Sequence, residues 1–254
     1  MGISTIKAVV QYVGTGYFGF QRQAAGRPTV QGALEDAIAA LTGERVTVTG
    51  AGRTDAGVHA HGQVIHFRTA SAIPVDRWPA ALNSRLPRDI AVVAAEKVPD
   101  TFHARYHARS KVYRYTVWNS PVPSPFWRPF SWWVRHPLDV AAMREAAAPL
   151  VGRHDFAAFA ATGSSARSTV RTVFSLRVEE EGDPTGGPGR LVHLWVEGDG
   201  FLYRMVRNVV GSLVEVGTGR AEPRWVEEVL RGRRRELAAP TAPPEGLTLW
   251  LVRY

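Results

Sequence analysis

Apolar and polar residues alternate along eight short segments of the chain, and each of these segments predicts a β-strand. They cover residues 6–13, 46–49, 63–69, 90–97, 112–118, 170–178, 191–198 and 247–252. Alternation with a period of two residues is typical of a strand that buries one face. The pattern therefore predicts strands throughout the chain.

Between these strands, apolar residues recur three or four positions apart, which predicts helices. Thr29 can cap the first turn of the clearest helix, over residues 29–41, and Gly43 can end it. Its apolar stripe consists of Val30, Leu34, Ile38 and Leu41. Further helices are expected over residues 76–86, 139–150, 201–216 and 224–230.

Helices and strands mix without strict alternation, so the expected fold class is α+β rather than a doubly wound parallel sheet. The order of elements repeats, which suggests two halves, an N-terminal one over residues 1–104 and a C-terminal one over residues 105–254. Residues 179–189 are polar and rich in Gly and Pro, and they predict a hairpin loop between two strands.

Composition excludes several kinds of protein. The chain has 254 residues and no cysteine, which removes disulfides, thiolate nucleophiles and cysteine-ligated zinc. No apolar run reaches the length of about 18 residues that a transmembrane helix needs. The N-terminus shows no signal peptide. We therefore expect a cytoplasmic protein.

The charge balance indicates a polyanionic partner. The formal net charge is +8, and only three of the 31 basic residues are lysines: Lys7, Lys97 and Lys111. Arginine can pair with phosphate in bidentate geometry and can stack on bases. Residues 105–115 interleave basic and aromatic side chains and contain no acid, so RNA is the expected partner.

The most informative stretch is residues 50–61, which read GAGRTDAGVHAH. Predicted strands flank it, so Asp55 is expected on a loop rather than on a helix face. The glycines allow the main chain to approach a ligand closely, and Arg53 would keep the nearby carboxylate ionised at neutral pH. An aspartate that only caps its own turn is the plainer interpretation of such a loop.

Residues 52–60 within this stretch closely resemble the catalytic loop of the tRNA pseudouridine synthase A family. Other blocks that resemble the family extend nearly from end to end: residues 15–23, 81–90, 102–105, 113–115, 152–156, 201–208 and 244–247. Val13 and Phe20 depart from the pattern, because the family more often has Asp and Trp at these two positions.

The resemblance implies an isomerase that converts uridine to pseudouridine at positions 38, 39 and 40 of the tRNA anticodon stem-loop. It also implies a homodimer that needs no cofactor and no metal. The implied fold has two ferredoxin-like halves, similar to RNA-recognition domains, that share a mixed, mainly antiparallel sheet with the active-site cleft between them.

The resemblance further assigns roles to four residues. Asp55 corresponds to the nucleophilic aspartate, and Arg207 corresponds to the buried arginine that pairs with it. Tyr113 corresponds to the substrate-binding tyrosine and would stack on the base. Arg53 is expected to contact phosphate or to hold open the space that a flipped nucleotide leaves. Arg204 is the next candidate for the role given to Arg207.

Two other functions stay open at this point. One is a pseudouridine synthase of the same fold that acts on a different RNA target. The other is a non-catalytic RNA-binding module, although such a module has no use for an exposed carboxylate facing phosphates.

Three weaker motifs carry less weight. Residues 14–19 fit the G-x-G-x-x-G pattern, but Gly26 and Pro28 intervene before the helix, so no dinucleotide site is expected. The pair Ser164-Ser165 lacks the G-x-S-x-G context of a hydrolase. The spaced histidines at 59/61 and 103/107 have no cysteine or carboxylate to complete a metal site.

Overall fold

The computed structural model describes residues 2–23, 26–163, 167–183 and 186–254. Outside these residues lie the pair Ser164-Ser165 and, within the predicted hairpin loop, Pro184 and Thr185.

The chain packs as two compact units. Met1–Arg109 and Thr248–Tyr254 form the first unit, and Ser110–Leu247 forms the second. The division into folding domains between residues 104 and 105 stays a prediction.

The described residues form ten strands and five α-helices. The strands are β1 (Ser4–Tyr12), β2 (Thr49–Gly50), β3 (His59–Thr69), β4 (Ile90–Val98), β5 (Ser110–Asn119), β6 (Trp132–Val134), β7 (Gly152–Asp155), β8 (Val170–Gly182), β9 (Arg190–Gly198) and β10 (Leu247–Arg253). The helices are α1 (Val30–Thr42), α2 (Trp78–Asn83), α3 (Val140–Ala147), α4 (Met205–Gly217) and α5 (Arg224–Gly232). This mixture confirms the α+β class.

The first unit is built around β1, which pairs with β3 and with β4 in antiparallel register. Strand β2 pairs with β3 antiparallel, and β10 pairs with the start of β3 in parallel register. Helix α2 packs on β4 and on α1. The rings of Phe67 and Trp78 meet edge to face in the core, with their centroids 5.2 Å apart.

In the second unit, β5, β9, β8 and β7 follow one another as antiparallel neighbours, and β6 pairs with β5 in parallel register. Helix α3 packs on α4, on α5 and on β8. Helix α4 is buried at every position except Glu215. A helix that is enclosed on all sides is a rigid support for the side chains that it carries.

Helix α1 confirms the prediction for residues 29–41 in detail. The Gly32 amide donates to the Thr29 side chain over 3.2 Å, which caps the first turn. Gly43 follows the last turn with φ 74°, the left-handed conformation that ends many helices.

Several predicted boundaries are wrong by two or more residues, and three of these errors have a clear local reason. The strand expected over residues 46–49 is reduced to β2, because the Val48 amide donates to the Glu35 carboxylate over 3.0 Å instead of to a strand. The helix expected from residue 201 begins at Met205, because Arg204 has φ 59° and lies outside helical geometry.

The hairpin loop predicted over residues 179–189 is also shorter than expected, since β8 continues to Gly182 and pairs with β9. An ion pair between the two strands supports this pairing, because Arg190 contacts Glu180. Strands β6 and β7 were not predicted, because three or four residues are too few to show an alternation.

No helix in the described part of the chain is long and apolar enough to cross a membrane.

Candidate functional site

Asp55 lies on the loop formed by residues 51–58, which connects β2 to β3. We call this segment the Asp55 loop. The Asp55 carbonyl accepts a hydrogen bond from the Val58 amide over 3.1 Å, which closes a four-residue turn. Gly57 has φ 79°, as a type II turn requires at its third residue. The turn leaves the Asp55 side chain half-buried at its first position, so the prediction that Asp55 lies on a loop is confirmed.

A second loop, residues 13–23, packs against the Asp55 loop without side chains in between. The Phe20 amide donates to the Thr54 carbonyl over 3.1 Å. A Cβ atom on Gly14 would lie 2.0 Å from the Val58 carbonyl oxygen, which is far below a van der Waals contact. Glycine is therefore required at position 14 for the two main chains to approach each other.

The two departures from the family pattern lie in or next to this packing. Phe20 is 2 % exposed, and its ring centroid lies 6.4 Å from that of Tyr12. Val13 is half-buried, and its amide donates to the Asp89 carbonyl over 2.9 Å. Phe20 thus fills a core position beside the Asp55 loop, and Val13 is tied to its place by the main chain.

Three buried polar side chains that the sequence did not single out, Thr54 of the Asp55 loop and Tyr12 and Gln63 beneath it, form hydrogen bonds with one another. The Tyr12 and Thr54 hydroxyls are 2.8 Å apart. Gln63 Nε2 donates to the Gly52 carbonyl over 2.9 Å and to the Tyr12 hydroxyl over 3.4 Å. The available signal was the amide of Gln63 in β3, since a polar residue in a strand buried on both faces needs a partner.

Arg53 is exposed at the edge of the Asp55 loop. Its Nε donates to Gln21 Oε1 over 3.1 Å, and Gln21 in turn donates to Gln31 Oε1 over 2.6 Å. This chain of contacts ties the arginine to residues 13–23 and to α1. A positive charge is thereby held two residues from Asp55.

Tyr113 lies on β5 opposite Val196 of β9 and is 7 % exposed. The ring of Phe201 meets the Tyr113 ring edge to face, at a centroid distance of 5.2 Å and an angle of 88°. Aromatic pairs favour this arrangement, in which the hydrogen-bearing edge of one ring faces the π electrons of the other. Phe201 therefore fixes the orientation of the Tyr113 ring.

Arg207 lies on α4 and is 8 % exposed. Its Nε donates to the Ala242 carbonyl over 2.8 Å, and its own carbonyl accepts from the Ala242 amide over 3.2 Å. Arg204, in contrast, is exposed, and its guanidinium lies 4.9 Å from the Tyr203 ring centroid. Of the two candidates, Arg207 alone matches the description of a buried arginine.

Asn208, next to Arg207, ties α4 to two other segments. Its Nδ2 donates to the Phe159 carbonyl over 2.7 Å, and its Oδ1 accepts from the Thr241 hydroxyl over 2.6 Å. Nearby, the Tyr115 hydroxyl donates to the Pro243 carbonyl over 2.8 Å, and burial raises the pKa of Tyr115. The segment of residues 239–243 is thus held to α4 by Arg207 and Asn208 and to β5 by Tyr115.

The structure therefore places the four predicted site residues in two pairs. Asp55 and Arg53 share one loop of the first unit, and Tyr113 and Arg207 belong to the second unit. Their roles stay predictions. Among the described residues, no group of three or more His, Asp or Glu side chains is arranged to hold a metal ion.

Comparison with known proteins shows that the chain is similar to one family over most of its length. Residues 8–107 and 146–254 match the family model described as tRNA pseudouridine synthase. The chain is 50 % identical over 250 residues to tRNA pseudouridine synthase A of Moorella thermoacetica, with 98 % of this chain and 99 % of that protein covered. It is 47 % identical over 251 residues to the protein of the same name in Brevibacillus brevis, with the same coverage.

Proposed function

The chain belongs to the tRNA pseudouridine synthase family, and we propose that it modifies uridines of the tRNA anticodon stem-loop with Asp55 as the nucleophile. Membership makes it an isomerase that forms pseudouridine in RNA, with tRNA as its substrate. The observation that carries the assignment of Asp55 is its place at the first position of a tight turn, on a loop whose main chain is packed against residues 13–23.

The reaction requires an ionised carboxylate and a site that encloses the base. The bond between N1 of uracil and C1′ of ribose breaks, the base turns, and a bond between C5 and C1′ forms; C5 loses its proton and N1 gains one, so that the reaction is an isomerisation. An ionised carboxylate beside the sugar or the base can form a covalent bond to one of the two fragments, which that bond holds until C1′ and C5 are joined and the carboxylate is released. The surrounding site must keep the detached base from leaving and must exclude water.

The remaining three residues receive supporting roles. Tyr113, whose ring is fixed by Phe201, is proposed to stack on the uracil. Arg207 is buried and donates a hydrogen bond to Ala242, and it is proposed to correspond to the family's buried arginine, which pairs with the nucleophilic aspartate. Arg53, exposed beside Asp55, is proposed to contact a phosphate or to hold open the space that the flipped nucleotide leaves.

The positions modified, the assembly and the location follow from the family rather than from this chain. We propose uridines 38, 39 and 40 as targets, a homodimer as the working form and the cytoplasm as its place. The formal charge of +8 supports binding of a structured RNA. Exposed aromatic side chains near β6, with Phe126 87 % exposed, are compatible with a surface that a second copy covers.

Replacement of Asp55 by Asn tests the nucleophile. The variant keeps the size of the side chain and removes its charge, so pseudouridine formation is expected to fall below detection while tRNA binding persists. Asp36→Asn is a matched control, because Asp36 is an exposed carboxylate on α1 that pairs with Arg22. Substantial turnover by Asp55→Asn would refute the assignment.

Mapping of pseudouridine in tRNA from cells with and without the protein tests the target. Loss of the modification at positions 38–40 alone is the expected result. Loss at another tRNA position, or in another RNA, would favour the synthase of different specificity. Normal modification in cells without the protein, together with tight RNA binding in vitro, would favour the non-catalytic module.

A further inference from the structure

The chain of hydrogen bonds beneath the Asp55 loop links two strands of the first unit to that loop. Tyr12 ends β1, Gln63 lies in β3, and Thr54 directly precedes Asp55. These side chains are 4 %, 0 % and 6 % exposed, respectively. Burying a polar group costs free energy unless the group is hydrogen-bonded. Three buried side chains that bond to one another therefore hold the segments that carry them in fixed relative positions.

The direction of donation along this chain can be worked out. Gln63 Nε2 donates to the Gly52 carbonyl, which can only accept, so the amide cannot be turned around. The other Nε2 hydrogen points to the Tyr12 oxygen at 3.4 Å. Among the described residues, the only acceptor within reach of the Tyr12 proton is Thr54 Oγ1 at 2.8 Å, so this buried proton is directed to Thr54.

Two further observations support this order. Gln63 Oε1 is buried and accepts no hydrogen bond from any described residue, so the amide contributes only the two hydrogen bonds that its Nε2 donates. Burial raises the pKa of Tyr12 to about 12, so the hydroxyl keeps the proton that it donates throughout the working range of an enzyme.

The consequence for Asp55 is that its main chain is held on both sides. Before it, Thr54 is fixed at its side chain by Tyr12 and at its carbonyl by the Phe20 amide. After it, the turn closes with the bond from the Val58 amide to the Asp55 carbonyl. The carboxylate therefore starts from a main-chain position with little freedom.

We propose that Tyr12 is a positioning residue for Asp55: its hydroxyl, oriented by Gln63, anchors Thr54 and thereby sets the direction from which the carboxylate reaches its target. This inference rests on the proposed function, in which Asp55 is the nucleophile. Because Tyr12 is buried beneath the loop, it acts through Thr54 and touches no substrate atom. Small errors in the placement of reacting groups reduce the rate of the chemical step far more than they reduce binding.

Tyr12→Phe removes one oxygen atom and nothing else. Under single-turnover conditions we expect the rate of pseudouridine formation to fall by about 10–100-fold, with an unchanged Kd for tRNA. The melting temperature is also expected to fall, because Gln63 and Thr54 each lose a buried partner. A role confined to stability would lower the melting temperature and leave the rate normal at temperatures where the variant is folded.

Tyr254→Phe is the matched control in the same unit. The Tyr254 hydroxyl is half-buried and donates to the Ala104 carbonyl over 2.7 Å, away from the Asp55 loop. This variant loses a hydrogen bond of the same kind and is expected to keep the rate of the unmodified protein. A second pair of variants tests the other end of the bond: Thr54→Val deletes the acceptor, whereas Thr54→Ser keeps it and should retain more activity.

The combination of Tyr12→Phe with Thr54→Val is expected to be no slower than the slower single variant, because both remove the same bond. A Tyr12→Phe or Thr54→Val protein whose rate stays within twofold of the unmodified protein would overturn the inference. So would a Tyr254→Phe protein that slows as much as Tyr12→Phe. If Asp55→Asn is active, the proposed function fails; if Asp55→Asn is inactive and the Tyr12 and Thr54 variants are normal, only this inference fails.

Discussion

The Asp55 loop and helix α4 are anchored in different ways. Asp55 lies on an irregular segment that is held by main-chain contacts with residues 13–23, and a glycine is required where the two segments meet. Arg207 lies on a regular, buried helix, and its place relative to Ala242 is set by a bond from its own side chain. A functional side chain can thus be placed precisely either by close main-chain packing or by a polar side chain that reaches a neighbouring carbonyl.

The difference predicts which substitutions each region tolerates. Around Asp55, the sensitive positions should include those that add atoms between two main chains, in addition to the buried hydroxyl of Tyr12. Around Arg207, they should be those that remove a donor. Two predictions test this distinction, and a third concerns the pH dependence of stability. They are given in order of decreasing effect.

Arg207→Ala is expected to have the largest effect on the free energy of unfolding, a loss of about 3–5 kcal/mol, because it leaves the Ala242 carbonyl without its donor and opens a cavity. Arg204→Ala is the control, since that arginine is exposed. Urea denaturation of both variants measures the difference. Equal stability of the two proteins would show that the bond to Ala242 does not hold this region together.

Gly14→Ala is expected to destabilise the first unit by about 1–3 kcal/mol, because the added methyl group forces the main chains apart. Turnover should fall as well, since the displaced contact is at Val58 in the Asp55 loop. Gly16→Ala is an internal control: its Cβ would meet nothing closer than an Asp89 carboxylate oxygen at 3.9 Å. Thermal unfolding and turnover of the pair decide whether close packing places the loop; a fully active Gly14→Ala protein would contradict it.

The smallest expected effect is a dependence of the stability of the first unit on pH. It arises from His66, which lies outside the Asp55 loop. Burial, followed by the neighbouring His103, lowers the pKa of His66, whose Nδ1 accepts a hydrogen bond from the Ala104 amide. Since the unfolded chain binds this proton more readily, stability is complete above the ordinary histidine pKa of about 6.5 and is lost as the pH falls through the lowered value.

Melting temperatures measured between neutral and mildly acidic pH should therefore decrease more in the unmodified protein than in His66→Asn, which can accept the same bond without titrating. An identical pH dependence in both proteins would remove His66 as its source.

Local patterns predicted most of the elements but little of what joins them. Helix α1 followed from a stripe, a cap and a terminal glycine that all lie within 15 residues. The parallel pairing of β10 with β3 joins residues almost 190 positions apart, and no local pattern records it. The left-handed Arg204 was missed for a related reason, because its conformation is imposed by surroundings that a sequence window does not contain.

The candidate site shows the same division. The place of Asp55 on a loop came from its glycines and flanking strands, whereas the choice of Tyr113 and Arg207 depended on a resemblance to a family. The burial of Arg207 and the exposure of Arg204 now separate two arginines that the sequence left as alternatives. The chain from Gln63 through Tyr12 to Thr54 was not foreseen, because its members come from three segments and none is unusual where it stands.

The composition of the first unit has a consequence for how the protein is made. Its sheet includes β10, so residues 1–109 cannot complete that sheet until residues 110–247 have been synthesised. Until then, the edge of β3 at His59 and Ala60, directly after the Asp55 loop, lacks the strand that it pairs with in the finished protein. The second unit is continuous in sequence, so strands β5 to β9 can pair with one another earlier, whereas the Asp55 loop stays next to an unpaired strand edge until residues 248 and 249 have been made.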